Sequence, residues 1–153
     1  MAPISFEYSK SAQTSFKPPL IANENAFLGD VFTSESNDPQ APISAGFYRL
    51  EKGKPKPIQS HASEDKKRSP KPRTMMTDRT ISSLLGTPLV YEYTYHEMKI
   101  IVDGSFDISD ETGKKVHATK GDVFYFPKGS KITFETDDFG LGFFVGHRKE
   151  GGA

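Results

Sequence analysis

The sequence predicts an all-β fold, a small antiparallel sandwich or barrel. Between Tyr91 and Gly146, short runs rich in Val, Ile, Tyr and Thr arrive at near-regular spacing. Turn signals separate these runs, at Asp103-Gly104, Asp110–Gly113, Lys120–Asp122 and Pro127–Gly129. No stretch between them has apolar residues at helical spacing. At 153 residues, the chain is expected to form one domain.

Residues 1–42 are predicted to form an N-terminal arm and a first strand. Met1–Lys17 is polar and is followed by Pro18-Pro19, which indicates a flexible arm or an edge strand. Leu20–Asn25 is a candidate for pairing with a neighbouring subunit. Ala26–Thr33 has the composition of the first strand of the sheet.

Residues 43–148 are predicted to form the barrel, and residues 149–153 a flexible tail. The predicted strands of the barrel are Ile43–Glu51, Thr87–Tyr95, Glu97–Val102, Gly104–Ser109, Lys115–Thr119, Val123–Phe126, Lys131–Thr136 and Phe139–Gly146. A sharp turn is expected between the strands Thr87–Tyr95 and Glu97–Val102, and a further turn at Asp103-Gly104. A hairpin turn is expected at Asp110–Gly113, where Gly113 supplies a positive φ.

Composition and charge exclude several classes of function. Lys plus Arg equal Asp plus Glu at 20 each, which argues against a dedicated nucleic-acid-binding protein. The absence of Cys excludes disulfides and thiolate chemistry. The N-terminus has no secretory pattern, and no run of apolar residues is long enough to cross a bilayer. We therefore expect a cytoplasmic protein with neither a nucleic-acid nor a membrane partner.

Two glycine-anchored motifs carry a resemblance to a known family. Tyr95-His96-Glu97 precedes Gly104 by a fixed spacing, and Gly121-Asp-Val-Phe-Tyr-Phe-Pro-Lys-Gly-Ser130 follows. The pair resembles the two motifs of the cupin superfamily, and most closely the ethanolamine-utilisation (EutQ-like) cupins, whose first motif reads Tyr-Asp-Glu. The resemblance implies a double-stranded β-helix, or jelly roll, and a homodimer. His96 in place of Asp argues against carrying over the acetate-kinase-like activity associated with EutQ.

Residues 53–86 interrupt this pattern with a basic insertion. The segment carries eight Lys or Arg against three Asp or Glu, and its low apolar content predicts disorder. A basic docking tail or a localisation signal is an alternative interpretation. Related cupins join the flanking strands directly, and Gly53-Lys54 and Leu85-Gly86 are compatible with splice-site codons. A retained intron is therefore a third hypothesis, and it would imply a eukaryotic source.

The resemblance also locates the positions at which metal-dependent cupins bind their metal. The His-x-His pair corresponds to Tyr91 and Tyr93, or to Val90 and Glu92 if one residue is bulged, and the third His corresponds to Ile132. Only Glu97 retains a usual metal-binding type, and an alkyl side chain cannot donate electrons to a metal. We therefore expect no metal and no other cofactor.

Phenols around one carboxylate are expected to replace the metal. The predicted catalytic residues are Glu97, Tyr95 and His96, with Glu97 as general base and a tyrosine stabilising an oxyanion. The predicted substrate-binding residues are Tyr91, Glu92, Tyr93, Tyr125, Ile132 and Phe134. Further candidates for apolar walls are Phe106, Phe124, Phe126, Phe143 and Phe144. The alternatives are a structural carboxylate at 97, ordinary core tyrosines, and a surface position for His96, because neighbours on a strand face opposite sides.

The resemblance extends to standalone cupins of fungal polyketide pathways, which are described as oxidoreductases or act in isomerisation and dehydration. It implies a small-molecule tailoring enzyme of oxidoreductase, isomerase or dehydratase type, acting on an aromatic or polyketide-like substrate. One alternative is a EutQ-like accessory protein that binds metabolites or carboxylates without turnover. Another is a dimeric scaffold.

Overall fold

The computed structural model describes residues 5–54 and 86–153. The elements in these ranges are one short helix and nine strands: α1 (Ala12–Ser15), β1 (Leu20–Ala22), β2 (Ala26–Thr33), β3 (Ser44–Glu51), β4 (Leu89–Glu92), β5 (Glu97–Asp110), β6 (Lys115–Thr119), β7 (Val123–Phe126), β8 (Lys131–Glu135) and β9 (Phe139–Gly146). Within these residues, no helix is long and apolar enough to cross a membrane.

Two antiparallel sheets share the long strand β5 and form a near-closed barrel. The N-terminal half of β5 lies between β9 and β7, in the sheet that continues through β3 and β2 to β1. Its C-terminal half lies between β6 and β8, and β4 pairs with β8. The core between the sheets is dominated by aromatic side chains, among them Tyr48, Phe106, Phe126, Phe134 and Phe144. The predicted all-β barrel is confirmed.

The turn predicted at Asp103-Gly104 is wrong. Strand β5 continues through these residues, and the pairing with β9 shifts register between Ile101 and Asp103. Gly104 has φ 63°, and a Cβ placed there would collide with the carbonyl oxygen of Phe139. An Asp-Gly pair therefore marks a β-bulge that lets one strand serve both sheets.

The first motif strand ends earlier than predicted. Strand β4 stops at Glu92, and the following residues bend across the barrel instead of continuing to Tyr95. The backbone of Tyr93 accepts from the N–H of Gly129 (2.7 Å) and donates to the carbonyl of Ser130 (2.8 Å). This bend lets Tyr93 and Tyr95 both point inward beside Glu97.

The N-terminal arm packs on its own chain. Strand β1, within the segment considered for pairing with another subunit, pairs with β2 of the same chain. After α1, the ring of Phe16 lies 6.3 Å from that of Phe47 on the outside of the barrel. The arm therefore covers part of one sheet.

The residue that follows β3 and the residues that precede β4 lie next to each other, although the connection between these two strands is the longest in the chain. Thr87 donates its N–H to the carbonyl of Lys52 (2.8 Å). The Asn25 amide donates to the carbonyls of Glu51 and Thr87 (2.7 and 2.9 Å). The disordered insertion and the retained intron, predicted for 53–86, fall on residues 55–85, which lie outside the described residues.

Candidate functional site

A buried ion pair lies at the centre of the barrel. The Lys99 Nζ is 3.0 Å from Oε1 of Glu97, and both side chains are at most 3% exposed. Tyr93 donates its hydroxyl to the same oxygen (3.0 Å), and Tyr95 donates to Oε2 (3.3 Å). The Tyr91 hydroxyl lies 3.2 Å from that of Tyr95 and extends the cluster. The carboxylate thus has one cation and two phenols as partners.

Alternation along β5 places both charges inside. Glu97, Lys99 and Ile101 are buried, whereas Met98 and Ile100 face outward. Strand β9 makes room for these long side chains with glycines. A Cβ at Gly142 would lie 3.0 Å from the stem of Lys99. The chain therefore provides the space that a buried lysine needs.

Aromatic rings surround the Lys99 ammonium group. It lies 4.5 Å from the ring centroid of Tyr48, 4.8 Å from that of Phe134 and 5.5 Å from that of Phe126. Ring faces attract cations, and the attraction grows when water is excluded. The rings and Glu97 together offset part of the cost of burying the charge.

Burial dominates the electrostatics of this cluster. It raises the pKa of Tyr93 and of Tyr95, and the negative charge of Glu97 raises both further. Burial lowers the pKa of Lys99, while the neighbouring Glu97 opposes that shift. The phenols therefore stay neutral at physiological pH and act as hydrogen-bond donors.

Little space remains next to the ion pair. A cavity of about 10 Å³ is bordered by Tyr48, Glu97 and Lys99, and Ile21 of β1 also lines it. This is about the room that one water molecule needs. The hydroxyl of Tyr48 is buried with no protein partner. A single polar atom, of water or of a ligand, is what this position can accept.

A much larger cavity lies on the far side of the rings of Tyr93 and Phe126, as seen from Glu97. Its volume is about 430 Å³, and its apolar surface comes from Ile108, Val116, Phe124, Phe126 and Ile132. The rings of Tyr93 and Phe126 stack at 4.9 Å and separate this cavity from Glu97. This larger space for a ligand is therefore next to the charged cluster and not within it.

The structure brings together only part of the predicted site. Tyr91, Tyr93, Tyr95, Glu97 and Phe134 line the small cavity. Ile132 is buried and lines the large cavity. The roles predicted for these residues stay predictions, but their positions inside the barrel agree with them.

Three predicted site residues lie away from the cluster. Glu92 is exposed on β4. The Tyr125 hydroxyl lies 2.9 Å from Nδ1 of His96, and both side chains are on the outside of the barrel. Tyr125 also contributes to the lining of the large cavity. The alternation of β5 and β7 explains this, because their neighbours Glu97 and Phe126 face inward.

The residues at the metal positions do not fit a metal ion. Ile132 has no donor atom, and Tyr93 already donates its proton to Glu97. The Lys99 ammonium group lies beside the carboxylate, where a metal cation would have to bind. Among the residues that the structure describes, no three His, Cys, Asp or Glu cluster as a metal site would require.

Lys99 was not among the site residues predicted from the sequence. Its position two residues after Glu97 on one strand was the available signal, because residues i and i+2 face the same side. A second buried ion pair was also missed: Arg148 donates to both carboxylate oxygens of Asp30 at 2.7 and 2.9 Å. These residues are 118 positions apart, so no local pattern connects them.

The central strand that both sheets share and the two glycine-anchored motifs define a cupin-fold protein. Residues 88–141 match the family model described as "EutQ-like cupin domain". The acetate kinase EutQ of Clostridioides difficile is 38% identical over 53 residues, which are 35% of this chain and 33% of that protein. The match thus spans about a third of the length of that relative. The cupin resemblance is confirmed, and the likeness to fungal secondary-metabolism cupins stays a prediction.

Solved structures agree on the fold. A Rhizobium leguminosarum protein of unknown function superposes with a TM-score of 0.54 at 16% identity, over 97% of this chain and 100% of its own. The Clostridium difficile EutQ structure gives a TM-score of 0.50 at 20% identity, over 80% of this chain and 67% of its own. At these identities the likeness concerns the fold alone.

Proposed function

We propose that this protein binds a small, flat, largely apolar molecule in the 430 Å³ cavity. The cavity carries the proposal, because its volume lies within the range of small-molecule sites, roughly 300–1,000 Å³. Phe124 and Phe126, whose near-parallel rings lie 5.7 Å apart, line it with aromatic surface. An aromatic molecule matches that surface in its chemistry.

The charges at the rim favour a ligand without a strong net charge. Lys131 lies 3.5 Å from Glu111, and one oxygen of Asp110 accepts from the hydroxyl and the N–H of Thr112 (2.6 and 2.9 Å). Lys114 also lines the cavity, so two lysines balance the two carboxylates. A neutral ligand with one or two polar substituents would bind without leaving a rim charge unpaired.

A cavity-filling variant tests this function with 2-naphthol as the probe. We expect Val116→Trp, which places an indole in the cavity, to abolish the chemical-shift changes that 2-naphthol causes in the NMR spectrum of the folded protein. His117→Trp is the matched control, because it adds the same side chain to the same strand on the exposed face. Equal binding by wild type and Val116→Trp would refute the assignment.

A second candidate is metal-independent acid–base catalysis, favoured by the buried Glu97 among phenols. Glu97 would take a proton from an activated C–H, and the hydroxyl of Tyr95 or Tyr48 would stabilise the resulting enolate oxygen. A substrate would reach Glu97 once Ile21, on the three-residue strand β1, moves aside. A tailoring step in a fungal polyketide pathway is a narrower form of this hypothesis, and it depends on the resemblance.

Deuterium exchange in 2-tetralone, a bicyclic ketone with activated C–H groups, tests the catalytic candidate. We expect wild-type protein to accelerate exchange, and Glu97→Gln to lose the acceleration by roughly 100-fold or more. Tyr95→Phe, which keeps the Glu97–Lys99 pair, should lose part of it. Circular dichroism confirms that each variant is folded, and Glu51→Gln is the control. Exchange that is unchanged in folded Glu97→Gln removes Glu97 from the mechanism and leaves the binding function.

A further inference from the structure

Lys99 lies in an unusual place for a lysine, the interior of the barrel. Among the residues that the structure describes, it is the only buried lysine, and 3% of its side chain is exposed. Its ion pair with Glu97 adds little net stability compared with apolar residues of similar size. Stability alone therefore does not account for an amine at this position.

The surroundings of Nζ suit a neutral amine as well as an ammonium group. The rings of Tyr48 and Phe134, whose centroids lie 4.5 and 4.8 Å from Nζ, exclude water from it. Burial lowers the pKa of Lys99, and Oε1 of Glu97, 3.0 Å from Nζ, can take one of its protons. A lysine amine desolvated in this way is a nucleophile that reacts with carbonyl compounds.

The space beside Nζ fits a carbonyl oxygen. The cavity of about 10 Å³ that Lys99 borders has room for one polar atom. Tyr48 lines the same cavity, and its buried hydroxyl, which has no protein partner, is available to donate to that oxygen. An aldehyde fits better than a ketone, because its carbonyl carbon carries one chain and a second carbon substituent would have no room.

We propose that Lys99 binds a small, unbranched, apolar aldehyde covalently, as a Schiff base. Ile21 marks the entry, because it lines the cavity and is 45% exposed. It belongs to β1, a strand of three residues at the end of the sheet, paired with β2. A small displacement of β1 opens the way to Nζ, and the chain of the aldehyde then lies against Leu28 and Leu89, which also line the cavity.

The reaction needs only the ion pair and the aldehyde. Glu97 takes one proton from the Lys99 ammonium group, and Nζ bonds to the carbonyl carbon while the π electrons move to the oxygen. The oxygen takes a second proton from the nitrogen, which gives a carbinolamine. Protonated Glu97 then gives its proton to this hydroxyl group, which leaves as water while the nitrogen lone pair forms the C=N bond. An ammonium group and an aldehyde thus become an iminium group and water, with no oxidation or reduction.

This covalent site depends on neither proposed function. Binding of 2-naphthol concerns the 430 Å³ cavity, which the rings of Tyr93 and Phe126 separate from the ion pair. Proton exchange catalysed by Glu97 forms no bond to nitrogen. A bond to Nζ of Lys99 is therefore a result that neither of the other experiments produces.

Reductive trapping of the full chain with propanal and sodium cyanoborohydride at neutral pH, followed by peptide mass mapping, tests the proposal. We expect Lys99 to be alkylated at least about 10-fold faster than Lys149, because each unit by which a lysine pKa falls gives about tenfold more free amine. Lys149 is the matched comparison, since its Nζ lies 3.6 Å from Oε1 of Glu35 but its side chain is 65% exposed.

Unfolding in urea is the control for the chemistry of the local sequence, and it should abolish the difference between the two lysines. Alkylation of Lys99 that is no faster than that of Lys149 in the folded protein would overturn the proposal. A preference for Lys99 that persists in urea would also overturn it, because the folded site would then not be its cause.

Two alanine variants of β1 test the entry. Ile21→Ala should raise the rate of alkylation at Lys99 several-fold, whereas Leu20→Ala, on the same strand and outside the cavity lining, should not. Tyr48→Phe, which lacks the hydroxyl, should lower the rate at Lys99 and leave that at Lys149 unchanged. Circular dichroism shows that each variant is folded. Equal acceleration by both alanine variants would refute entry past Ile21, and an unchanged rate in Tyr48→Phe would refute the role of its hydroxyl.

Discussion

At the level of single residues, the interior of this barrel differs from an ordinary apolar core. Glu97 and Lys99 are buried together at 3.0 Å, and the phenols of Tyr93 and Tyr95 satisfy the remaining carboxylate positions. Such a pair contributes little net stability compared with apolar residues of similar size. Its effect appears when one partner is removed, because the other then remains as an uncompensated charge.

The Lys99→Met variant tests this interdependence. We expect it to lower the free energy of unfolding by about 3–5 kcal/mol, because it leaves the Glu97 carboxylate without its cation. The double variant Glu97→Gln/Lys99→Met should recover much of the loss, since no buried charge remains. Urea unfolding measures both, with Lys131→Met, about half exposed, as the control. A Lys99→Met protein as stable as wild type would contradict the role given to the pair.

At the level of elements, β5 organises the molecule. Its bulge between Ile101 and Asp103 lets one strand pair with β9 and β7 in one sheet and with β6 and β8 in the other. The glycines of β9 complement it, because a side chain at Gly142 would crowd Lys99 and one at Gly140 would crowd Phe106. One strand thus provides the buried charges, and its neighbour provides the space for them.

At the level of the whole molecule, the buried tyrosines make the free energy of unfolding depend on pH in the alkaline range. Burial raises the pKa of Tyr48 and of Tyr93 above the ordinary tyrosine value near 10. Below about pH 10 the folded and unfolded chains both carry these protons, so the stabilisation is fully present. Above it the unfolded chain loses protons that the folded chain keeps, and the free energy of unfolding falls.

The buried Lys99 changes the free energy of unfolding in the opposite direction as the pH rises. Because burial lowers its pKa, the unfolded chain binds more protons between that lowered value and about 10.4, and its contribution to stability rises with pH there. We therefore expect the free energy of unfolding to decline from near pH 10 upward, by about 1.4 kcal/mol per pH unit for each fully buried tyrosine. Urea unfolding at increasing pH measures it, and Tyr48→Phe should make the decline shallower. A flat profile above pH 10 would contradict this.

The resemblance to cupins placed Glu97 in the interior, and local sequence patterns were enough to predict the fold class and most strand positions. These depend on local chemistry: β-branched and aromatic runs, glycine turns and alternation along a strand. Strands β2, β6, β7 and β9 have the predicted limits, and β3 and β8 each differ from the predicted limits by one residue. The same local signal failed at Asp103-Gly104, because a bulge and a turn both favour Asp-Gly.

Which residues meet inside the barrel depends on contacts between distant parts of the chain. The pairing of Lys99 with Glu97, the inward bend that carries Tyr93 and Tyr95, and the outward positions of His96 and Tyr125 depend on how distant strands register. The location of the large cavity depends on the same packing. Alternation says which residues share a side of a strand, but the sheet on the other side of the core decides which side is the inside.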